Sequence, residues 1–516
     1  MRMDTAAGVT PGILAAWPSD RGRMAKAYLK VNELTDDLAR KPVPQSKYDF
    51  KQLEEAIDTL KAQYYDDSKI VPEKLIEAAV RGACASLDPY TVYMDEASID
   101  ELRKESLGGQ YGGIGARVSM RKDKAENRWL TIEEPIFSGP AYRMGLRSND
   151  RIIEVEGEIT VNRELNELVR RLRGKPGSTV TFKVMRRGWT KEKEYKIVRE
   201  QIQMETTMHR LLPGGLGYIR MTTFGDQDIE AVEKAIKDMK EMKALVFDLR
   251  GNTGGYLRTA QKIASYFLKK GDVIVTTRAR GMEQDNRKAD GGHLTDVPMV
   301  MLVDEGSASA SEILAGALQD HKRAILVGEK TFGKGSVQDL KFLKTTGEKA
   351  AVKVTIAKWY LPSGRTVEKD KHADSGILPD IKAAPHERDF WKDAEFERLR
   401  AGDEIDKYVK EYGEDKELFK KLAESDNGDL SRYPKFDALF DSLKTKASKD
   451  EVRELLREFI RKRVADDQGK PLYIDVQTDV VLQRGILEAC KAGKVDAKGV
   501  KEYETFAKVT APAVEK

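Results

Sequence analysis

Over Val297–Gln338 the hydrophobic positions fall in short runs broken by small and polar residues: VPMVMLVDEGSASASEILAGALQDHKRAILVGEKTFGKGSVQ. Val297–Val303 has the length and β-branched character of a buried strand, ended by Glu305-Gly306. Ile313, Leu314, Ala317 and Leu318 recur at helical spacing and predict a helix with one apolar face. Ala324–Val327 predicts a second buried strand, running into a Gly/Lys-rich segment. Upstream the same alternation appears. Strands are expected at Gly217–Met221, Ala244–Leu249 and Val273–Thr277, with helices marked by Ile229, Val232, Ile236 and Met239 and by Leu257–Leu268. Ala351–Trp359 predicts a further strand, and the whole is an α/β pattern.

The flanks are patterned differently. Phe50, Leu53, Ile57, Leu60 and Tyr64 mark one helix, and a second starts at Pro72 as an N1 proline and runs through Cys84. After the glycine-rich GGQYGGIGARV of Gly108–Val118 come short strands at Val118, Leu130–Ile132, Asp150–Val155 and Thr179–Val184. A helix over Arg163–Leu172 and a turn at Gly174–Gly177 interrupt them, and Gln203–Met208 reads as a linker. The last 130 or so residues are charged and helical, with Val452, Leu455, Leu456, Phe459, Ile460 and Val464 as one stripe.

At 516 residues the chain has material for roughly three or four domains. It carries 90 basic against 86 acidic residues, and a net charge of +4 gives no reason to expect nucleic acid. Cys84 and Cys490 fit no metal pattern and read as two free thiols, with a single disulfide as the alternative. No apolar run approaches the ~20 residues of a membrane span. The apolar piece Gly12–Trp17 is shorter than a secretory core of about 7–15 residues.

Ser309 carries the candidate chemistry. A strand, a sharp turn and a hydroxyl at the mouth of a helix expose a nucleophile where the helix dipole favours negative charge. Ser309-Ala310-Ser311-Glu312 also fits a capping box, in which the hydroxyl only satisfies an amide. A nucleophile needs a base. Of the five histidines, His321 lies 321 − 309 = 12 residues on, about 18 Å along a straight helix. Lys334, between Gly333 and Gly335, is the other candidate, since desolvation lowers an amine's pKa. An extended segment would put Lys334, Ser336 and Gln338 on one face, where a glutamine orients an amine without restoring its proton. Gly328–Lys334 also fits the first seven positions of a phosphate-binding loop, but Gly335 stands where such a loop needs Ser or Thr.

The string GSASASEILAGALQD followed by GEKTFGKGSVQ resembles the active site of the carboxyl-terminal processing peptidases, or tail-specific proteases. In that family the middle serine is the nucleophile, a lysine 25 residues later the base, and a glutamine four further on holds it. Ser309, Lys334 (334 − 309 = 25) and Gln338 (338 − 334 = 4) match. Asp248-Leu-Arg-Gly-Asn-Thr-Gly-Gly255 matches the family's D-L-R-x-N-x-G-G, which implies an oxyanion hole from the amides of Gly251 and Ala310. GGIGARV and GPAYRMGLRSNDRIIEVEGE resemble a PDZ domain, with Gly113, Ile114 and Gly115 in the carboxylate-binding loop. Arg173 matches an arginine that in some relatives couples peptide occupancy to the catalytic domain; otherwise it is an ordinary surface arginine. Leu87-Asp-Pro-Tyr-Thr-Val-Tyr-Met94 resembles a family segment in which Tyr90 replaces the usual His, a residue outside the catalytic set. Tyr360–Arg365 and Gly376–Ile381 match closing segments of the protease domain, and Asp479–Ala489 a helix that in relatives follows soon after.

The expected architecture is multidomain α/β: a crotonase-like (ClpP-like) protease core with an inserted β-rich PDZ domain and helical termini. Residues 1–47 form a poorly ordered lead-in, 48–107 a helical region used for dimerisation or for packing on the core, and 108–200 the PDZ domain. Residues 201–385 form the Ser–Lys protease core and 386–516 a charged helical region. The resemblance implies a serine endopeptidase acting on unfolded or tail-exposed proteins with apolar C-termini, without metal or cofactor. It also implies a homodimer, an activating adaptor, and a place in the cell envelope, periplasm or outside the cell; a cytoplasmic location is the alternative. The competing functions are a catalytically silent PDZ scaffold and a nucleotide-dependent enzyme built on Gly328–Lys334.

Overall fold

The structure is a computed structural model and describes residues 50–102, 110–123, 125–187, 189–281, 284–368, 375–385 and 390–507. The expected lead-in, 1–47, lies outside them. The chain divides into two compact units between Ala83 and Cys84. In the first, α1 (Lys51–Gln63) buries none of its residues. The next helix, α2 (Pro72–Ala85), starts on its proline, as expected.

The second unit begins with β1 (Val92–Met94) and α3 (Glu96–Glu101), capped by Asp95, which accepts the Ser98 amide at 2.8 Å. The β-rich region follows. β2 (Gln110–Gly113) pairs with β9 (Glu200–Gln203). Between them lies a sheet ordered β3 (Ala116–Lys122), β4 (Arg128–Pro135), β5 (Arg151–Val155), β7 (Thr179–Met185), β8 (Lys193–Val198), with the short β6 (Glu158–Ile159) on β5. Alternate residues of β7 are buried (Val180, Phe182, Val184), so one face meets Leu168 and Leu172 of α5 (Leu165–Leu172), the helix that follows the short α4 (Pro140–Arg143). β3 lies at an edge of this sheet.

The core sheet is ordered β10 (Thr207–Leu212), β11 (Leu216–Met221), β12 (Ala244–Asp248), β15 (Met299–Val303), β16 (Ala324–Gly328), β19 (Ile381–Lys382). All neighbours are parallel except β10 and β11. Every residue of β12 and β15 is buried, because both faces are covered. Leu245, Phe247, Met299, Met301 and Val303 pack with α6 (Gln227–Asp238), α7 (Leu257–Ser265) and α8 (Ala310–Asp320). Ala244, Val246, Val300 and Leu302 turn to the other face and meet α14 (Val480–Ala492). A second sheet is ordered β1, β18 (Ala351–Tyr360), β13 (Val273–Ala279), β14 (Asp285–Lys288), and β17 (Ser336–Phe342) also pairs with β18.

Three boundaries differ from expectation. Residues 48–107 are not one helical region, because β1 pairs with β18 through Val92–Lys353, Tyr93–Val352 and Met94–Ala351. Gln203–Met208 is not all linker: β10 starts at Thr207, and its exposed His209, Arg210 and Leu211 hid the strand. Residues 386–516 are two parts. Helices α9 (Phe390–Ala401) to α13 (Lys449–Gln468) have their own core around Phe419, Leu422, Leu456 and Ile460. Asp479 onward returns to the parallel core sheet, where a Cβ at Gly485 would lie 2.5 Å from Leu302. The helical part clamps the sheet of β3 to β8. Arg187 donates to the carbonyls of Arg400 and Gly402 and to Asp406, and Tyr142 donates to the Asp466 carbonyl at 3.0 Å. Cys84 and Cys490 are buried free thiols. No described helix is long and apolar enough to cross a membrane.

Candidate active site

Ser309 follows β15 and starts α8 with φ 57° and ψ −112°, a conformation that L-residues adopt only under constraint. Its neighbours supply the constraint. The Ser307 hydroxyl donates to the Leu249 carbonyl at 2.9 Å and the Ser311 hydroxyl to the Asn252 carbonyl at 2.7 Å. The Ala308 amide donates to the Asn252 carbonyl at 3.0 Å. Asn252 is itself buried, donating to the Met221 carbonyl and accepting the Gly254 amide. Of the three alternating serines, then, the outer two tie the turn to the loop after β12, and Ser309 is left between them, half-buried.

Glu312, one turn into α8, is the hub that sequence reasoning took only as a cap partner. Its carboxylate is fully buried and accepts four hydrogen bonds. They come from the amides of Ser309 (2.8 Å), Gly333 (2.8 Å) and Lys334 (2.9 Å) and from the Thr331 hydroxyl (2.6 Å). Burial pushes its pKa up, against those four donors. One carboxylate thus joins the turn at Ser309 to the loop that carries Lys334. The same bonds dispose of a phosphate loop at Gly328–Lys334: two amides that would hold phosphate already hold a carboxylate, and β17 follows instead of a helix.

Lys334 is half-buried in the passage from the parallel sheet to the antiparallel one. Burial lowers its pKa, Lys353 lowers it further, and Glu312 works the other way. Its ammonium lies 5.0 Å from the centre of the Tyr90 ring. Among the described residues no hydrogen bond links Lys334 to Ser309 or Gln338. The expected shared face of Lys334, Ser336 and Gln338 holds only in part. β17 starts at Ser336 and is irregular between Val337 and Gln338. The Gln338 amide nitrogen donates to Ser336 at 2.8 Å and to Thr355 at 3.3 Å.

Beside the serine, Gly254 sits so close that an added Cβ would lie 3.0 Å from that of Ser309. The Ala310 amide, first in α8, has no acceptor within the helix. The Gly251 amide donates to Asp304 at 2.8 Å, so of the two expected oxyanion donors one is already engaged. Asp248, fully buried, accepts from Tyr218 at 2.8 Å and from Arg250 at 2.9 and 2.7 Å. Its burial alone would raise its pKa, but those bonds and the Arg250 charge hold it below the usual carboxylate range. Arg250 also forks onto Asp479 at 2.8 and 2.7 Å, which fastens α14 to the loop after β12. Among the described residues no group of three His, Cys, Asp or Glu could hold a metal ion. His321 bonds the Val273 carbonyl at 2.7 Å, apart from the serine.

In the β-rich domain Gly113 ends β2, Ile114 is buried, and Gly115, at φ 75°, makes the turn into β3. The Gly115 carbonyl accepts the Ile136 amide at 2.9 Å, and that of Ile114 accepts the Ala141 amide at 2.8 Å. Arg173 caps α5, with its guanidinium 4.9 Å from the centre of the Tyr111 ring on β2.

Comparison with known proteins gives the same outline. Residues 215–383 match peptidase family S41, 112–197 a PDZ domain, and 21–98 the activating protease CtpB N-terminal domain. The carboxy-terminal-processing protease of Bartonella bacilliformis is 39% identical over 318 residues, which cover 60% of this chain and 69% of that protein. The carboxy-terminal processing protease CtpB of Bacillus subtilis is 35% identical over 336 residues, covering 64% and 67%. Among solved structures, a photosystem II D1 C-terminal processing protease is 26% identical, with a TM-score of 0.40, covering 66% of this chain and 94% of its own. The chain therefore belongs to the S41 peptidases and, among them, to the carboxy-terminal processing proteases: it is a serine-type peptidase that carries a PDZ domain.

Proposed function

We propose that Ser309 is the nucleophile and Lys334, as the neutral amine, the general base of an endopeptidase that degrades or trims proteins from apolar, unstructured C-termini. The observation that carries it is the Glu312 carboxylate, which ties the amide of a serine held at a left-handed φ to the amide of a lysine whose pKa burial lowers. In the reaction Lys334 leaves the Tyr90 ring, takes the Ser309 proton as the oxygen attacks the carbonyl carbon, and returns it to the leaving amine. The Ala310 amide receives the oxyanion, and Gly251 joins it by exchanging Asp304 for the developing charge. Gln338, anchored through its amide nitrogen, keeps its carbonyl oxygen to orient the amine.

In the same proposal Gly113, Ile114 and Gly115 receive the substrate's terminal carboxylate, and its last residues add to β3, an edge strand next to α5. Arg173 couples that occupancy to the protease, supported by its place over β2, whose partner β9 leads into β10 of the core sheet. A crotonase-like core is supported by the repeated strand–helix units around β11, β12, β15 and β16. An activating adaptor, dimerisation through N-terminal helices and work in the cell envelope complete the proposal. The adaptor is supported by the match to the activating protease's N-terminal domain, and dimerisation by α1, which buries none of its residues. A silent scaffold would have no use for a buried carboxylate that joins serine and lysine.

The test is degradation of an unfolded protein with an apolar C-terminus by wild type and Ser309→Ala, with chelator present throughout. Cleavage lost in the variant supports Ser309; equal cleavage by both means the nucleophile is another residue.

A further inference from the structure

Tyr90 stands in a segment, Asp88-Pro-Tyr-Thr91, that supplies no acid, base or oxyanion donor to the chemistry above, yet its ring meets the Lys334 ammonium, at 5.0 Å from the ring centre. The segment is firmly built. Asp88 accepts the amides of Tyr90 and Thr91, each at 2.8 Å, and the Thr91 hydroxyl at 2.7 Å. Those bonds outweigh burial and hold the Asp88 carboxyl below its ordinary range. Thr91, nearly fully buried, takes the Thr355 amide at 3.2 Å on its hydroxyl, which also lies 3.5 Å from the Thr355 hydroxyl. Thr355 in turn accepts the Gln338 amide nitrogen at 3.3 Å. Asp88, Thr91, Thr355, Gln338 and Ser336 are thus one chain of hydrogen bonds. It fixes the Tyr90 backbone relative to the strand after Lys334.

We propose that Tyr90 is a positioning residue for the base: its ring face holds Lys334 in the charged form, turned away from Ser309, and so sets the protease's resting state. The inference rests on Lys334 being the base. An aromatic face attracts an ammonium and does nothing for a neutral amine, so it favours the protonated, inactive lysine. Turning the enzyme on then requires the amine to leave the ring and lose its proton together. The other charged groups around the pair are Glu312 from α8, Lys353 from β18, and Glu368 and Asp88 beside the tyrosine. Lys353 opposes the ammonium, Glu312 supports it, and the ring adds to the second side. Burial and the nearby carboxylates of Glu368, Glu312 and Asp88 raise the phenol's own pKa, so the ring stays neutral through the working range.

Three variants test this: Tyr90→Leu removes the π face but keeps apolar cover, Tyr90→Phe keeps the face without the hydroxyl, and Tyr90→Trp strengthens it. Two readouts are taken on the full chain. One is the pH dependence of acylation of the Lys334 amine by an N-hydroxysuccinimide ester, read by peptide mass spectrometry. The other is the acid limb of kcat/KM. Tyr90→Leu should move the Lys334 labelling curve down by about half a pH unit, and raise cleavage below the limb about two- to five-fold. Tyr90→Trp should shift both the opposite way, and Tyr90→Phe should keep the wild-type labelling curve. The proposal is overturned if Leu and Trp leave the labelling curve where wild type has it, or move it in the same direction. If labelling shifts as expected and the kcat/KM limb does not follow, Tyr90 does hold Lys334 but Lys334 is not the base.

Discussion

Replacing Glu312 separates its roles as tie and as charge. Its carboxylate accepts three backbone amides and the Thr331 hydroxyl, all within 2.9 Å, and no part of it is exposed. Each buried donor left unmatched costs about 1–3 kcal/mol. Thr331 cannot simply turn away, because its hydroxyl oxygen already accepts the Ile377 amide at 2.7 Å. If water rescues half of the four donors, Glu312→Ala costs the turn about 2–6 kcal/mol. Most of that range lies above the ~1–3 kcal/mol typically stored in a residue held at such a φ. The Ser309 turn should therefore relax, and an ångström of misplacement costs about 10²-fold in rate. Glu312→Gln keeps one acceptor oxygen but turns an NH2 toward at least one of the amides, so its loss should be smaller. The charge acts separately. Glu312 is the group that raises the Lys334 pKa, against burial and Lys353, so its neutralisation lets that pKa fall. A base works once pH rises through its pKa, and the acid limb of kcat/KM should therefore move to lower pH in both variants. The assay is kcat and KM on a peptide reporter across pH, with hydrogen exchange over residues 305–336. Lower kcat, a shifted limb and lost protection confined to that stretch are expected. A Glu312→Gln enzyme with the wild-type rate and limb would refute the tie.

Two further predictions concern other parts of the chain. Gly254 has φ 100°, and a Cβ there would lie 2.8 Å from the Ala308 carbonyl oxygen and 2.9 Å from the Ala310 amide nitrogen. Gly254→Ala should cost at least about 10²-fold in kcat/KM and about 1–3 kcal/mol of stability, and a fully active variant would show that the turn yields without harm. Asp466 of α13, which accepts from the Ser148 amide and hydroxyl at 3.2 and 3.3 Å, has its pKa pushed up from the ordinary carboxylate range to about 6, mainly by burial. A carboxyl raised on folding destabilises where it must ionise, so the clamp between the PDZ domain and the helices should lose on the order of 3 kcal/mol as pH rises from about 4 through about 6. Protection of residues 142–150 from exchange should be higher at pH 5 than at pH 7 in wild type and flat in Asp466→Asn; the same slope in both would exclude Asp466.

What could be read from the sequence was what is written locally. The buried strands β12 and β15 are near-continuous apolar runs because both their faces are covered, and such runs survive any tertiary context. β10 was missed for the opposite reason: it pairs only with β11, and three exposed residues leave it no pattern. Composition does not mark the break within residues 386–516, because the stripe of α13 and the apolar residues of α14 look alike; the resemblance of Asp479–Ala489 to a family helix is what signals it in the sequence. Gly485 against Leu302, Val481 and Ile486 packed with Val246 and Val300, and Asp479 on Arg250 place α14 on the protease sheet.

The site divides along the same line. The proposed pair, Ser309 and Lys334, is marked by a family-like motif and its spacing within one stretch of chain, but the groups around the pair act across the fold. Glu312 had a sufficient local explanation as a cap partner, and that explanation is half true, since it does accept the Ser309 amide. Its larger role is to hold Gly333 and Lys334, which come into range only after β16 has crossed the sheet. Tyr90 is further still: 334 − 90 = 244 positions separate it from the lysine it meets. A substitution outside a catalytic set looks neutral as long as that set is a list of residue types. Once the base has a pKa to be adjusted, whatever faces its ammonium takes part in the chemistry, and at position 90 the chain faces it with an aromatic ring.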